Sequence, residues 1–295
     1  MILLLLALAQ APAPGFPREL VQFAPEGDAP VFAGGGPGAW DQVIRERGWV
    51  LRDGDGFRLW YTGSDGSPAG KRRLGLATSP DGVTWTRHPG NPLLPDRWVE
   101  DVMVVRDGAR LVMVAEGERD RAQLLVSADG VTWEPKGTLD VRRVDGTPIP
   151  DGPFGTPTLF RDAGRWLLFY ERNDAAVWLA ASDDLKVWRH VRDEPVLRPG
   201  PGAFDRDLIA LNQVVRHAGR YYAYYHGCAN TGPDARKWAV GVAASDDLVT
   251  WQKYPGNPLR PSGENKSSGT LVDVGDGFRL FTTHPAVWRH RTPGP

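Results

Sequence analysis

An all-β fold, a five-bladed β-propeller with four antiparallel strands per blade, follows from three features of this 295-residue sequence. Gly (35) and Pro (26) are abundant, and 12 Trp accompany them, a composition that suits short strands and tight turns rather than helices. A turn of the form Ser-x-Asp-x-x-x-Trp recurs at residues 79–85, 127–133, 182–188 and 245–251. Between these turns, an apolar run, a polar turn and a second apolar or aromatic run recur five times, at residues 50–61, 104–114, 159–170, 214–225 and 271–282.

Taken in order, the chain begins with residues 1–11, MILLLLALAQA. This apolar run falls short of the roughly 20 residues that span a bilayer. It ends in a small-x-small pattern, Ala7-Leu8-Ala9, and Pro-rich sequence follows. It reads as a secretory signal peptide, which places the protein outside the cell or in the periplasm; a buried first strand is the other reading. Residues 16–295 then form a single propeller domain.

Each of the five recurring segments has the form of a β-hairpin, with β-branched and aromatic residues flanking a Gly-containing turn. A third strand follows, as at residues 73–79 and 177–183, and the Ser-x-Asp turn leads into a short fourth. Four antiparallel strands in a unit of about 55 residues, repeated radially, make a propeller blade. The fifth unit lacks the Ser-x-Asp turn, so its outer strand is expected from residues 19–24 or 31–33, closing the ring. Because Trp85, Trp133, Trp188 and Trp251 sit at one place in every turn, they are expected to pack between blades rather than bind ligand.

Composition excludes several functions. With 35 basic and 36 acidic residues the charges nearly cancel, so no nucleic-acid partner is indicated, nor any membrane contact beyond export. One cysteine, Cys228, allows neither an internal disulfide nor a cysteine-built zinc site. The Gly-x-Ser-x-Gly elbow, His-Glu-x-x-His, phosphate-loop and dinucleotide motifs are missing, and no cofactor is implied. A metal in the channel is open to His226, His284 and the carboxylates, but no ligand spacing calls for one.

Positions that break the repeat are the functional candidates. The residues entering each inner strand and those ending each second strand converge on one mouth of the ring, where closed rings bind ligands. Aligned on the hairpin turns, the inner strands begin at Glu46, Glu100, Gly155, Ala210 and Ser267, followed by Arg47, Asp101, Thr156, Leu211 and Ser268. The second strands end at Thr62, Glu116, Glu171, His226 and Thr283, the last beside His284. Entry loops add Asp41, Asp151, Asp207, Asn212, Glu264, Asn265 and Lys266. Clustered carboxylates of this kind suit glycoside cleavage, where one acid of raised pKa protonates the leaving oxygen and an ionised partner activates water or attacks. Glu46, Glu100, Asp101 and Glu171 are the catalytic candidates. Asp41, Arg47, Glu116, Asn212, His226, Glu264, Lys266 and His284 are candidates for substrate contact. Trp40, Trp49 and Trp98, which do not repeat between blades, are candidates for stacking on a sugar face.

The sequence resembles the five-bladed propeller glycosidases, among them glycoside hydrolase families 32, 43, 62, 68, 117 and 130. The resemblance spans residues 40–284 and rests on AWDQVIRERGWVLRDGDGFRLWYTG, RLGLATSPDGVTW, WVEDVMVV, GPFGTPTLF with WLLFYE, and the NPLLP and NPLRP segments. It implies a carbohydrate substrate, plant or algal, and three carboxylates entering blades one, two and three as base or nucleophile, modulator and acid. The first falls at Glu46, with Asp41 upstream, and the second at Glu100-Asp101. The third falls at Gly155-Thr156, where the sequence has no acid; Glu171 across the same blade is the substitute. Two alternatives remain at this stage: a non-catalytic carbohydrate-binding propeller, and a family-130-like phosphorylase with phosphate held by Arg47 and Lys266.

Overall fold

The computed structural model describes residues 13–68, 70–150, 152 and 154–294. The expected leader at residues 1–11 and Asp151 lie outside them. Five sheets radiate from a common axis, each with a mainly antiparallel strand order. Blade one comprises Val43–Asp53, Gly56–Ser64, Arg73–Ser79 and Thr86–Arg87. Blade two comprises Glu100–Asp107, Arg110–Gly117, Arg121–Ser127 and Glu134–Thr138. Blade three comprises Gly155–Asp162, Arg165–Glu171, Val177–Ser182 and Val187–His190, with Asp140–Arg142 added in parallel at its outer edge. Blade four comprises Leu208–His217, Arg220–Cys228, Ala239–Ser245 and Gln252–Lys253.

Blade five joins the two ends of the described chain. Ser268–Asp273, Phe278–Thr283 and Trp288–Arg291 are its first three strands, and Ala24–Pro25 pairs outside them in the register Ala24↔Arg291. The ring is therefore closed by an N-terminal strand. Of the segment expected to supply it, only Ala24 is extended, because Arg18–Val21 turns into a short helix that buries Leu20 and Val21. Phe32 makes one further bridge, to Val287.

The repeated turns are built alike. Ser79 Oγ accepts from the Gly82 amide at 2.8 Å, and Asp81 Oδ1 accepts from Val83 and Thr84 at 2.8 and 2.7 Å. Ser127–Asp129, Ser182–Asp184 and Ser245–Asp247 repeat the pattern. Position four needs a left-handed backbone; glycine supplies it at Gly82 and Gly130, whereas Leu185 and Leu248 adopt φ of 65° and 66°. The turn tryptophans reach the preceding blade. Trp133 lies edge-on to Trp60 at 6.1 Å, and Trp251 edge-on to Phe169 at 6.2 Å. Both are inter-blade contacts of the kind that holds a radial stack together.

The NPLLP and NPLRP segments have a structural explanation. Asn91 Oδ1 accepts from the Leu76 amide while its Nδ2 donates to the Leu76 carbonyl and the Tyr61 hydroxyl. Asn257 does the same for Val242 and Tyr225. Behind each tyrosine is a buried carboxylate, Asp41 or Asp205, which accepts the phenol proton and pairs with Arg87 or Lys253.

Candidate active site

At one mouth of the ring lies a cavity of 490 Å³ whose lining includes seven carboxylates, three arginines and two histidines. Its shape begins with a local irregularity of the inner strands. Each of the first four departs from regular pairing near this end, between Arg45 and Trp49, Glu100 and Met103, Gly155 and Thr158, and Leu211 and Gln213. A bulge re-aims the side chain it carries. Glu46, Asp101 and Thr156 occupy the first position of the bulge in their blades, with φ of 46°, 48° and 42°. All three line the cavity.

This corrects the expected register. Arg45, not Glu46, pairs with Thr62, so Arg45, Glu100, Gly155, Ala210 and Ser268 are the equivalent strand starts. Blade one carries three residues in its bulge, Glu46, Arg47 and Gly48, where blade two carries Asp101 and Val102. That extra residue displaces by one every alignment made from the hairpin.

Four carboxylates meet on the blade-two and blade-three side. Glu100 accepts from Trp98 Nε1 at 2.6 Å and lies 3.3 Å from Arg72 Nε. Glu116 accepts from the Thr156 amide, Glu171 from the Asp174 amide, and Asp101 from the Arg47 amide at 3.1 Å. All four are buried. A Cβ at Gly155 would lie 1.6 Å from a Glu171 oxygen and 3.0 Å from a Glu116 oxygen, so a side chain there would displace the Glu171 carboxyl. Glu171 thus fills the space that a side chain at 155 would take.

Buried like charges so close together cannot all ionise. Burial first, then Glu46 nearby, raises Glu100 to about 7, with the Trp98 hydrogen bond and Arg72 opposing. Asp101, Glu116 and Glu171 are each raised well above the ordinary range, chiefly by burial and then by neighbouring acids. Asp174 is raised to about 6 by burial and by Asp120. Glu46 is more open than these: its side chain is 33% exposed and pairs with Arg45 at 2.8 Å.

One oxygen from each of Glu100, Glu116 and Asp120 lies within 4.8 Å of the other two, a spacing that a cation fits. Of the three, Glu100 and Glu116 are already held by Arg72, Trp98 and the Thr156 amide. His226 and His284 both face the cavity. His226 Nδ1 is bonded to Asn212 Oδ1 at 2.7 Å, and burial lowers its pKa to about 3, so it stays neutral. Asn212 is wholly buried and positions that ring rather than lining the cavity.

Six expected substrate contacts lie elsewhere. Asp41 is buried between Tyr61 and Arg87. Trp49 packs in the core beside Trp60, and Trp40 stacks on Tyr61 at 5.9 Å. Glu264 pairs with Arg260 and Lys266, whose ammonium sits 3.7 Å over the Trp288 ring. Arg47 is fully buried. Its guanidinium donates to the carbonyls of Asp101, Pro157 and Asn212 at 2.5, 2.6 and 2.9 Å and to Thr158 Oγ1 at 2.5 Å. It ties blade one to blades two, three and four through both terminal nitrogens, and neither it nor Lys266 lines the cavity, so neither serves as a phosphate cradle there. Trp98 touches the site through Glu100.

Arg45, Arg72, Asp120, Asn173, Asp174, Arg236 and Trp238 also line the cavity and were not anticipated. Most come from loops that follow the second strands, which a hairpin alignment does not reach. A signal was present: Asp120 and Asp174 follow Glu116 and Glu171 by four and three residues, and blades one, four and five have no such glutamate–aspartate pair.

No family model matches the chain. It is 25% identical over 249 residues to a 1,2-β-oligomannan phosphorylase of Thermoanaerobacter, covering 77% of this chain and 79% of that protein. In structure it resembles a glycosyl hydrolase from Bacteroides ovatus, with a TM-score of 0.69, 18% identity and 85% and 84% of the two chains covered. It also resembles the β-1,2-mannobiose phosphorylase of Listeria innocua, solved with β-1,2-mannobiose, with a TM-score of 0.68, 14% identity and 91% and 95% covered. The chain thus shares the five-bladed propeller fold of these solved structures.

Proposed function

We propose that this protein is an exported glycoside hydrolase acting on an oligosaccharide in the acid-lined cavity. The observation that carries the reading is the contrast between two neighbouring carboxylates. Glu100 is buried, with its pKa raised to about 7, and Glu46 is open and paired with Arg45. A protonated Glu100 donates its proton to the leaving glycosidic oxygen, and Trp98 Nε1 and Arg72 stabilise the carboxylate that forms. Glu46 takes the proton from the attacking water. Burial, with the charges of Glu46 and Asp120 behind it, keeps Glu100 protonated, and Asp101 is held beside it by the Arg47 amide.

Water is the acceptor favoured by electrostatics. Two of the three wall arginines already face acids, Arg45 on Glu46 and Arg72 on Glu100, which leaves little free cation for a phosphate dianion. Phosphorolysis is the second reading, favoured by the similarity to two phosphorylases and by Arg45, Arg72 and Arg236 in the wall. Export is supported by the leader-like residues 1–11 and is tested by cell fractionation.

The deciding experiment measures sugar release from β-1,2-mannooligosaccharides, arabinan, xylan and agar, with and without inorganic phosphate. Phosphate-independent release, lowered at least about 1,000-fold in Glu46→Gln and Glu100→Gln, is expected. Release that requires phosphate makes the protein a phosphorylase. If wild type turns over nothing yet binds a glycan as well as both variants do, it is a binding propeller.

A further inference from the structure

A second break in the repeat marks a second site. One residue before the second-strand partner of each inner-strand start, blades one, three and four carry Tyr61, Tyr170 and Tyr225. Their cross-strand partners are Gly75, Trp178 and Gly241. All three rings are buried, and each is covered by an aromatic from the segment entering its blade. Trp40 stacks on Tyr61 at 5.9 Å, Phe154 meets Tyr170 edge-on at 5.5 Å, and Phe204 stacks on Tyr225 at 6.0 Å. Blade two has Ala115 at this position, opposite Gln123.

In blade two Ala115 supplies no such ring and the entering aromatic is Trp98; a groove of 640 Å³ opens there, lined by Trp98 and Gln123. Trp98 stands at its inner end, and Gly137 and Thr138 of the fourth strand at its outer end. The inner wall is continuous with the acid cavity: Trp98 donates to Glu100, Gly117 follows Glu116, and Arg121 follows Asp120. Gln123 fixes that wall. Its Nε2 donates to the carbonyls of Trp98 and Glu116 at 2.8 and 3.3 Å, and its Oε1 accepts from Arg97 at 2.9 Å. The groove is therefore preformed, aromatic at one end and edged with polar side chains such as Glu118 and Thr138, the mixture that sugar chains bind.

We infer that the blade-two groove is an extension subsite, holding the glycan units that continue from the one in the acid cavity, with Trp98 at the junction. This rests on the glycoside reading of that cavity and adds to it a preference for chains longer than a disaccharide. The molecule suggests its own block: Ala115→Tyr with Gln123→Gly reproduces the Tyr61–Gly75 pair of blade one. Thr138→Trp fills the groove from an exposed strand and leaves the core alone.

The test compares kcat/KM on ladders of two to five units of β-1,2-mannan, arabinan, xylan and agarose, with calorimetric binding of the same ladders in parallel. In both variants the ratio of long-chain to disaccharide kcat/KM, or of affinities, should fall about tenfold from wild type. An unchanged ratio in Thr138→Trp, or a wild type with no preference for the longer chains, overturns the subsite while leaving the acid cavity's reading intact. A wild type that neither cleaves nor binds any ladder overturns both.

Discussion

Replacing Glu100 by glutamine should make the protein more stable at alkaline pH and less active. The folded-state pKa of Glu100 stands at about 7 against an ordinary 4.5, chiefly because its carboxyl is buried. Below about pH 4.5 both folded and unfolded chains hold the proton, and the group has no effect on stability. As pH rises from there to about 7, the unfolded chain has lost the proton while the folded chain keeps it, so the stability contributed by this group declines. Above about 7 the folded chain carries a buried charge. The full displacement corresponds to about 3 kcal/mol. Glutamine has no proton to lose, so Glu100→Gln should match wild type near pH 4 and exceed it by up to about 3 kcal/mol near pH 8. Urea unfolding at both pH values, with sugar-release rates on the same samples, measures this. A gain as large at pH 4 as at pH 8 would show that the variant acts through packing, and no gain at pH 8 would mean that Glu100 ionises freely. Either result refutes the assignment of Glu100 as the acid.

Two other perturbations probe what surrounds that residue. Trp98→Phe keeps the ring but removes the 2.6 Å bond that favours ionised Glu100. The alkaline limb of kcat/KM should move upward by about one to two pH units, and a downward shift would remove Trp98 from the acid's environment. Arg47→Met strands the carbonyls of Asp101, Pro157 and Asn212 and leaves Asp101 beside no buried cation. It should cost at least about 3 kcal/mol in denaturant unfolding, and Arg47→Lys should not rescue it, because an ammonium cannot span acceptors from three blades. Full stability in Arg47→Met would refute the role given to the axial guanidinium.

The fold was legible because a propeller writes its blade repeatedly. The Ser-x-Asp turns and Gly-containing hairpins are local structures, and each carries its own hydrogen bonds. The rim was legible in outline for the same reason: Glu100, Glu116, Glu171 and His226 end or begin strands whose register the hairpins fix. What failed was arithmetic across the bulge. Arg47 was read as a rim residue, whereas the extra residue of blade one turns it to the axis, where only backbone carbonyls from other blades could reveal its task. Asp41 and Trp40 were read as ligand contacts because they do not repeat in every blade. They do repeat once, as Asp205 and Phe204 in blade four, and that shared clamp identifies them as structural. Asp120 and Asp174 escaped because loops have no register to align.

The left-handed bulges at Glu46, Asp101 and Thr156 separate what the blade needs from what the cavity presents. Their backbone turns outward from the ladder whichever side chain is attached, and the neighbouring pairs hold register without them. The cavity is thus a socket with interchangeable fittings. Two of its three positions carry acids and the third a threonine, and at Glu46, whose side chain pairs with its neighbour Arg45, a substitution alters the charge of the cavity without removing a bond between blades. A ring built this way can exchange one chemistry for another faster than it can change its shape.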